Sequence, residues 1–481
     1  MTDHPRIRLR AEHVIGHDGR GHVLWRNGEV VFEGSRILFV GRGFEGRVDR
    51  DTDHGEAVIG PGLIDLDALG DLDSTVLAFD NGPEWKLGRI WTEDYLARGP
   101  REAYSAEEET FKYRYAFAQL IRNGITTAMP ITSMTYRAWA ESYDEFAAVA
   151  GVAGEMGIRA YLGPCYMSGV TLTDDQGRLS QHWDEARGLA GLEEACRFIA
   201  DFGGTQGGLV QAMLAPDRIE TCTPALLRRT AEIAAETGVP VRLHCCQSRY
   251  EVDLVKRLRG LSPYRWLNAL GLLRPRTVLP HGIHLEPGDI DLLAASGAAI
   301  VHCPVVFARD GEALNSFARY RERGVTIAMG TDTAPPDLLD NMRQGLNICR
   351  VLEGRAASSA AEFYDAATLG GAKALGRDDI GRLSPGAQAD ITVFDLSGFH
   401  LGPAIDPVKT MLLAGTGRDF THAWIAGREV MRERRIPGHD LDDMRRRAQA
   451  QFAKLEASHS ARAPGNPAPD VMFKPSFPLA G

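Results

Sequence analysis

Four short apolar runs, each ending in a side chain that can bind a metal ion or carry a proton, decide the predicted fold. They are Val241-Arg-Leu-His244, Thr277-Val-Leu-Pro-His281, Ala299-Ile-Val-His302 and Thr326-Ile-Ala-Met-Gly-Thr-Asp332. Runs of this kind are typical of parallel strands that are covered on both faces. Each interval between them has room for a crossover helix. Because the carboxyl ends of barrel strands meet at one mouth, we expect the three histidines and the aspartate to converge there.

The preceding part of the chain predicts four more strand and helix units. The expected strands are Gly62 to Asp67, Gly124 to Thr132, Arg159 to Tyr166 and Leu209 to Ala215. The expected helices fall between these strands: Ala106 to Arg122, Ser142 to Gly157, Leu189 to Phe202, and Pro224 to Thr237, which begins with the N-cap Thr223 and a proline. Eight such units predict an α/β fold, a distorted (β/α)8 TIM-like barrel.

Both ends of the chain have a different pattern, in which apolar and polar residues alternate over short pieces separated by glycines. This pattern is typical of small antiparallel strands and hairpins. We therefore expect a small β-sandwich built from both chain ends. The predicted domains are residues 1–60 and 376–435 for the two parts of the sandwich, 61–375 for the catalytic barrel, and 436–481 for a C-terminal helix and a proline-rich tail.

The composition excludes several classes of partner. The chain has 481 residues, 44% of them hydrophobic and 25% charged, with a net charge of -10. A nucleic-acid or anionic-membrane surface would need a basic face, so neither partner is expected. No run of about 18 apolar residues is present, and the first residues lack a signal-peptide core. The seven scattered cysteines favour free thiols in the cytoplasm over disulfides.

Two local features leave alternatives open. Cys245 and Cys246 follow His244 directly; they are interpreted either as soft metal ligands or as small core residues. The long interval from Asp71 to Glu107 predicts a loop above the barrel, with no convincing helix or strand. Its aromatic side chains would then stack on a flat substrate or fill a dimer interface; they are Trp85, Trp91 and Tyr95.

Several motifs occur in the order seen in one family of enzymes. They are Pro61-Gly-Leu-Ile-Asp65, Asn123-Gly-Ile-Thr-Thr127, His244, Pro280-His-Gly-Ile-His284, Val301-His-Cys-Pro304, Gly330-Thr-Asp332, Ala367 to Gly376 and Ile380 to Asp390. Together they resemble the amidohydrolase superfamily, most of all the branch that holds cytosine deaminase, guanine deaminase and the triazine hydrolases. The resemblance runs from about residue 7 to about residue 435. It implies a barrel with a β-sandwich, and a mononuclear metal that activates water to hydrolyse a C–N bond, often of a ring amidine.

This sequence departs from the family pattern at the residues that carry the chemistry. The family's first strand ends in His-x-His, two metal ligands, where this chain has Asp67 and Leu69. The resemblance assigns a ligand to His244, but the acidic proton shuttle three residues later is Gln247. An amide cannot take up and return a proton at neutral pH. The resemblance further makes His281 the residue that holds the attacking water, and Asp332 a metal ligand and base.

The acid-rich segment at the end of the first strand has two interpretations. One of Asp67, Asp71 and Asp73 can replace an imidazole; the predicted ligands are then His244, His281, Asp332 and Asp67, a set suited to Zn²⁺, Fe²⁺ or Mn²⁺. Alternatively these aspartates only cap turns, and no metal is bound.

The candidate roles follow from these predictions. His281 and Asp332 are the expected catalytic residues of a hydrolase that uses metal-activated water. Gln211, Gln247, His302 and Trp85 are the expected contacts to a small-molecule substrate. The alternatives are a metal-free barrel hydrolase, lyase or isomerase that uses the same His and Asp side chains, and a degenerate member that binds a ligand without turnover. A homodimer is expected from the family and from the tail.

Overall fold

The computed structural model describes residues 4–72, 90–97, 103–132, 139, 141–309, 311–459, 461 and 475–478. Eight short parallel strands form its centre, and all eight lie in the predicted places. In chain order they are Leu63–Leu69, Ile125–Ile131, Arg159–Leu162, Val210–Ala212, Val241–Arg242, Thr277–Pro280, Ala299–His302 and Thr326–Met329. We refer to them as the first to the eighth barrel strand.

The barrel strands form two four-stranded parallel sheets, the first to fourth strands in one and the fifth to eighth in the other. Single bridges such as Leu214 to Val241 connect the fourth strand region to the fifth. On the other side, the backbone N–H of Asp332 donates to the carbonyl of Asp67 at 2.8 Å. The first and eighth strands are thereby joined at their carboxyl ends. The architecture is α/β and TIM-barrel-like, as predicted.

Helices follow the strands and cover them. They are Glu93–Ala97, Ala106–Arg122, Tyr143–Met156, Glu185–Phe202, Pro224–Thr237, Arg249–Arg259, Pro263–Ala269, Asp289–Ser296, Pro304–Arg309, Phe317–Glu322, Leu338–Glu353, Ala360–Asp365, Gly371–Ala374, Pro407–Leu413 and Leu441–His459. The helices Ala106–Arg122 and Pro224–Thr237 have the predicted bounds, because the residues that begin them act locally. Ser105 forms a capping box with Glu108, and the hydroxyl of Thr223 caps a helix that begins at Pro224. No helix in these described ranges is long and apolar enough to cross a membrane.

Strands from both chain ends join in one eight-stranded sheet. Its order is Arg428–Met431, Phe420–Ile425, Ile391–Asp395, Ala57–Pro61, Arg6–His17, His22–Glu33 and Arg36–Gly41, with Arg50–Asp53 also paired to Arg6–His17. A buried ion pair connects this sheet to the barrel, because Arg159 of the third strand donates from Nε and a terminal nitrogen to Asp390 at 2.9 and 3.0 Å. The two chain ends therefore contribute strands to one common sheet.

The segment between the first barrel strand and the following helix contains regular structure that the sequence did not predict. Strand Ile90–Thr92 pairs with Gly169–Thr173, which also pairs with Leu179–Trp183, and helix Glu93–Ala97 follows directly. Trp91 and Tyr95 stack with ring centroids 5.0 Å apart, and both are buried. The prediction of a plain loop was therefore wrong for these residues. Elements of three to five residues are too short to produce a clear local sequence pattern. Trp85 lies outside the described residues.

Candidate active site

Four of the predicted site residues meet at the carboxyl ends of the barrel strands. Oδ1 of Asp67 lies 3.5 Å from Nε2 of His244, and Oδ2 of Asp67 lies 3.9 Å from Nε2 of His281. Nε2 of His281 is also 3.9 Å from Oδ2 of Asp332. The side chains of Asp67 and His281 are fully buried, whereas that of Asp332 is 15% exposed. We call these four residues the carboxylate–histidine cluster; its accessible edge is at Asp332.

The orientation of His244 tests whether this cluster fits a metal ion. Nδ1 of His244 lies 3.0 Å from the backbone carbonyl of Asp217, which can only accept, so Nδ1 carries the proton. Burial lowers the pKa of His244 and favours the neutral ring. Nε2 then presents a lone pair toward the carboxylate of Asp67. Two lone pairs repel each other unless a cation lies between them, so the donor set fits a divalent ion.

The spacing of the donor atoms agrees with this assignment. Two nitrogen or oxygen ligands about 2.1 Å from a tetrahedral ion lie about 3.4 Å apart, close to the separations in the carboxylate–histidine cluster. Burial opposes ionisation of Asp67, whereas positive charge at His244 and His281 and the Arg242 guanidinium lower its pKa; with both rings neutral, a bound cation would supply that charge. The carboxylate is thus available as a negatively charged ligand.

Asp65, the other inward-facing acid of the first strand, has a structural role. Its Oδ2 accepts from the Thr331 hydroxyl at 2.6 Å, and its Oδ1 accepts from the backbone N–H groups of Thr331 and Asp67 at 3.1 Å. Complete burial raises the pKa of Asp65 to about 7. These bonds hold the first and eighth strands in register, and they fix the backbone on which Asp67 and Asp332 stand.

The backbone is strained at two cluster residues. His281 has a φ of 80° and Asp332 a φ of 42°, in the left-handed region that side-chain-bearing residues rarely adopt. Such conformations cost on the order of 1–3 kcal/mol each and are concentrated at functional sites. The strain ends the extended strand, so each side chain enters the barrel mouth. The ring of His281 then packs edge-on against Phe307, with centroids 4.8 Å apart.

Gln247, which stands where the family has an acid, is bound to a cation. Its side-chain oxygen accepts from both terminal nitrogens of Arg218. The backbone N–H of Gln247 donates to Glu251 at 2.9 Å, and that of Cys246 donates to the other oxygen of the same carboxylate. Burial and the neighbouring Glu220 raise the pKa of Glu251 to about 8. Arg218 was not among the predicted site residues, because its partner is 29 positions away in the sequence.

Two further predicted substrate contacts lie away from the cluster. The side-chain amide of Gln211 donates to the carbonyl of Gly208 at 3.0 Å. Because Gly208 precedes the strand Val210–Ala212, this side chain points toward the end of the barrel opposite the mouth. His302 is buried beside Phe317 and Phe363, with ring centroids 6.0 and 6.3 Å away, and burial lowers its pKa to about 3. The structure thus brings neither residue to the barrel mouth.

The other candidate metal ligands from the sequence are Asp71, Asp73, Cys245 and Cys246, and none of them is assigned to the carboxylate–histidine cluster. The carboxylate of Asp71 accepts from the backbone N–H of Leu72 at 2.8 Å, as expected for an acid that caps a turn. Asp73 lies outside the described residues. Cys245 and Cys246 are fully buried, with sulfur atoms 3.7 Å apart and Glu251 nearby. Because both oxygens of Glu251 accept backbone N–H groups, we assign this group to the core.

Cys303, which was not among the predicted site residues, lies beside the carboxylate–histidine cluster. The sulfur of Cys303 is 3.6 Å from Oδ2 of Asp67, and it lies together with Asp67 and His281 in a group whose donor atoms are within 4.8 Å of one another. The alternation of side chains along a strand is the signal that could have revealed Cys303. Since neighbouring side chains point to opposite faces, Cys303 faces the mouth when His302 faces away from it. Burial raises the pKa of the Cys303 thiol, and the Asp67 and Asp332 carboxylates add to this effect.

The fold and this cluster together define a TIM-barrel-like protein with a buried centre of carboxylates and imidazoles. A model of the amidohydrolase family matches residues 79–430. A 5-methylthioadenosine/S-adenosylhomocysteine deaminase of Halobacterium salinarum is 32% identical over 379 residues, which are 78% of this chain and 80% of the relative. The chain belongs to the amidohydrolase family, and the predicted resemblance is confirmed. It is a hydrolase that acts on carbon–nitrogen bonds other than peptide bonds.

Solved structures show the same fold. An adenosine deaminase from Xanthomonas campestris with bound zinc superposes with a TM-score of 0.79 at 21% identity, covering 94% of this chain and 98% of that one. The atrazine chlorohydrolase of Arthrobacter aurescens TC1, complexed with zinc, gives 0.77 at 22% identity, with 93% and 100% covered. At these identities the comparison establishes the fold alone.

Proposed function

We propose that this protein is a metal-dependent deaminase that hydrolyses an amino group from a heteroaromatic ring of a small molecule. The observation that carries the proposal is the orientation of His244, whose unprotonated Nε2 faces the carboxylate of Asp67 at 3.5 Å. The names of the relatives support the substrate class, because the H. salinarum relative is called a 5-methylthioadenosine/S-adenosylhomocysteine deaminase. Aminopurine nucleosides with a thioether at the sugar are therefore the first compounds to try.

Asp67, His244, His281 and Asp332 would hold the divalent ion, and Zn²⁺, Fe²⁺ and Mn²⁺ all suit such nitrogen and oxygen ligands. When bound, the ion would lower the pKa of a water molecule and so supply a nucleophile at neutral pH. The backbone carbonyl of Asp217 contributes by fixing the tautomer of His244. A partner of this kind orients a ligating imidazole and raises its basicity.

Proton transfer is assigned to Asp332. It has the exposed edge of the carboxylate–histidine cluster and lies 3.9 Å from His281, so it can take a proton from the attacking water and return it to the leaving amine. His281, buried between Asp67, Asp332 and Phe307, would stabilise negative charge that develops on the substrate. Gln247 has no part in proton transfer, because an amide does not titrate and its oxygen is bound to Arg218.

The proposal also covers the cellular location, the oligomeric state and the domains of the enzyme. We propose a cytoplasmic homodimer in which the eight-stranded sheet forms the small β-sandwich. The domain division is the one expected from the sequence, with residues 61–375 as the catalytic barrel. Trp85 remains a proposed contact to the substrate ring.

The experiment measures metal content and ammonia release together, on protein purified without chelators. We expect about one equivalent of metal per chain in the wild type, ammonia release from an aminopurine nucleoside, and loss of both in His244→Gln. His302→Gln is the matched control, because it replaces a buried histidine at the end of another barrel strand, outside the cluster. This control should keep its metal and its activity.

Two results would contradict the proposal. Turnover that survives complete removal of metal would instead indicate a metal-free enzyme that uses His281 and Asp332. A wild type that holds no metal and binds aminopurine nucleosides without releasing ammonia would indicate a binding protein without catalysis.

A further inference from the structure

The first barrel strand lacks both imidazoles of the family pattern, and the structure places a sulfur atom beside Asp67, which stands at the first of the two histidine positions. Leu69, which stands at the second histidine position, is apolar and buried. Cys303 follows the seventh strand, across the barrel mouth, and its sulfur lies 3.6 Å from Oδ2 of Asp67. The carboxylate–histidine cluster therefore has a fifth donor atom at its buried side.

The direction of Cys303 is set by the strand that precedes it. Val301 and Cys303 share one face, since a Cβ atom on Gly330 would lie 2.8 Å from the Val301 side chain and 2.9 Å from the Cys303 sulfur. The same Cβ would lie 2.7 Å from Cβ of Asp67. Glycine at position 330 thus leaves the space in which this sulfur and the carboxylate approach each other. His302, on the opposite face, packs among aromatic rings.

The donor atoms of Cys303, Asp67 and His281 all lie within 4.8 Å of one another, and all three residues are buried. A tetrahedral zinc ion with a sulfur ligand at about 2.3 Å and a nitrogen ligand at about 2.1 Å keeps these two atoms about 3.6 Å apart. Small side-chain adjustments therefore suffice for one ion to bind the sulfur together with the carboxylate and the imidazole.

We propose that Cys303 binds the metal ion of this site as a thiolate, in place of one of the two missing first-strand imidazoles. On binding, the thiol loses its proton to solvent and its sulfur forms a bond to the ion, so that the thiol and the metal cation yield a thiolate complex and one proton. Soft sulfur ligands select zinc over manganese or magnesium. The inference rests on the proposed metal dependence, and it assigns the centre to zinc or to another ion that accepts sulfur.

The test replaces the native ion with Co²⁺ and records the absorption spectrum of the whole protein. A cobalt–thiolate bond produces an intense near-ultraviolet charge-transfer band, whereas nitrogen and oxygen ligands give only weak visible bands. We expect the intense band in the wild type, and we expect Cys303→Ser to bind cobalt without it. Cys222→Ser, which changes another fully buried cysteine outside the cluster, should retain the band.

X-ray absorption of the zinc-loaded wild type gives a readout that needs no variant to fold. A zinc–sulfur distance of about 2.3 Å is expected. Bound cobalt without the intense band, together with a zinc spectrum that contains only nitrogen and oxygen ligands, would overturn the role of Cys303 and leave the metal-dependent deaminase standing. A wild type that binds neither ion would overturn both.

Discussion

Nε2 of His244 lies 3.5 Å from Oδ1 of Asp67, on a ring whose other nitrogen is bound to the carbonyl of Asp217. Because that carbonyl fixes the proton on Nδ1, the contact needs a cation to be favourable. We expect Asp67→Asn to reduce the metal content from about one equivalent per chain to nearly none, since the variant loses a charged ligand. Elemental analysis checks this. Asp71→Asn, a buried acid of the same segment that caps a turn, should keep its metal; loss in both variants would contradict the assignment.

Thr331 is expected to contribute to stability through its bond to Asp65. Thr331→Val removes the 2.6 Å hydrogen bond to a fully buried carboxyl group, which should lower the free energy of unfolding by about 1–3 kcal/mol. Urea unfolding measures the change. Thr127→Val is the control, because its hydroxyl is buried with no hydrogen-bond partner in the described part of the chain, and its loss should be neutral or stabilising. Equal effects of the two substitutions would contradict the structural role of Asp65.

The pairing of Gln247 with Arg218 predicts the outcome of restoring the family's acid. In Gln247→Glu the new carboxylate would be held in its charged form by Arg218, so it could not shuttle protons, and we expect no gain in ammonia release. The double variant Arg218→Gln/Gln247→Glu frees the carboxyl, and a gain of at least about tenfold is expected from general acid–base catalysis. A gain in the single variant that matches the double would contradict this role of Arg218.

Glu251 predicts a pH dependence of stability. Its pKa in the folded protein is about 8, above the ordinary value of 4.5, so the folded state binds more protons than the unfolded state between these two values. Stability should therefore decrease as the pH rises from about 4.5 to about 8, by up to about 1.4 kcal/mol per pH unit. Glu251→Gln should remove this contribution, as measured by urea unfolding across the range. The exposed control Glu322→Gln should leave the profile unchanged, and parallel profiles for all three proteins would contradict the prediction.

The ion pair between Arg159 and Asp390 should couple the terminal sheet to the barrel. Both side chains are buried, and Asp390 also accepts from the backbone N–H of Ala426 at 2.7 Å. Asp390→Ala leaves a buried guanidinium without its counterion, so a loss of about 3–5 kcal/mol in the free energy of unfolding is expected. Asp51→Ala removes a partly exposed carboxylate paired with Arg8 on the same sheet, and it should cost less than about 1 kcal/mol. Comparable losses would show that the buried pair has no special role.

Local signals allowed much of the fold to be predicted. The helices Ala106–Arg122 and Pro224–Thr237 have the predicted bounds, because capping residues and apolar periodicity act within a few positions. The eight barrel strands were found for a similar reason: each is a short apolar run. The strand Ile90–Thr92 was missed because its stability comes from pairing with Gly169–Thr173, a contact that leaves no local pattern.

The sequence by itself determined the TIM-barrel-like order of strands and helices and the meeting of Asp67, His244, His281 and Asp332, since strand ends of a parallel barrel converge whatever their side chains are. Only the tertiary structure decided which side chains face the mouth. It turned Gln211 and His302 away, placed Cys303 beside Asp67, and bound Gln247 to Arg218. The physical reason is that these positions depend on contacts between residues distant in the chain and on positive φ angles at strand ends, neither of which a local sequence pattern encodes.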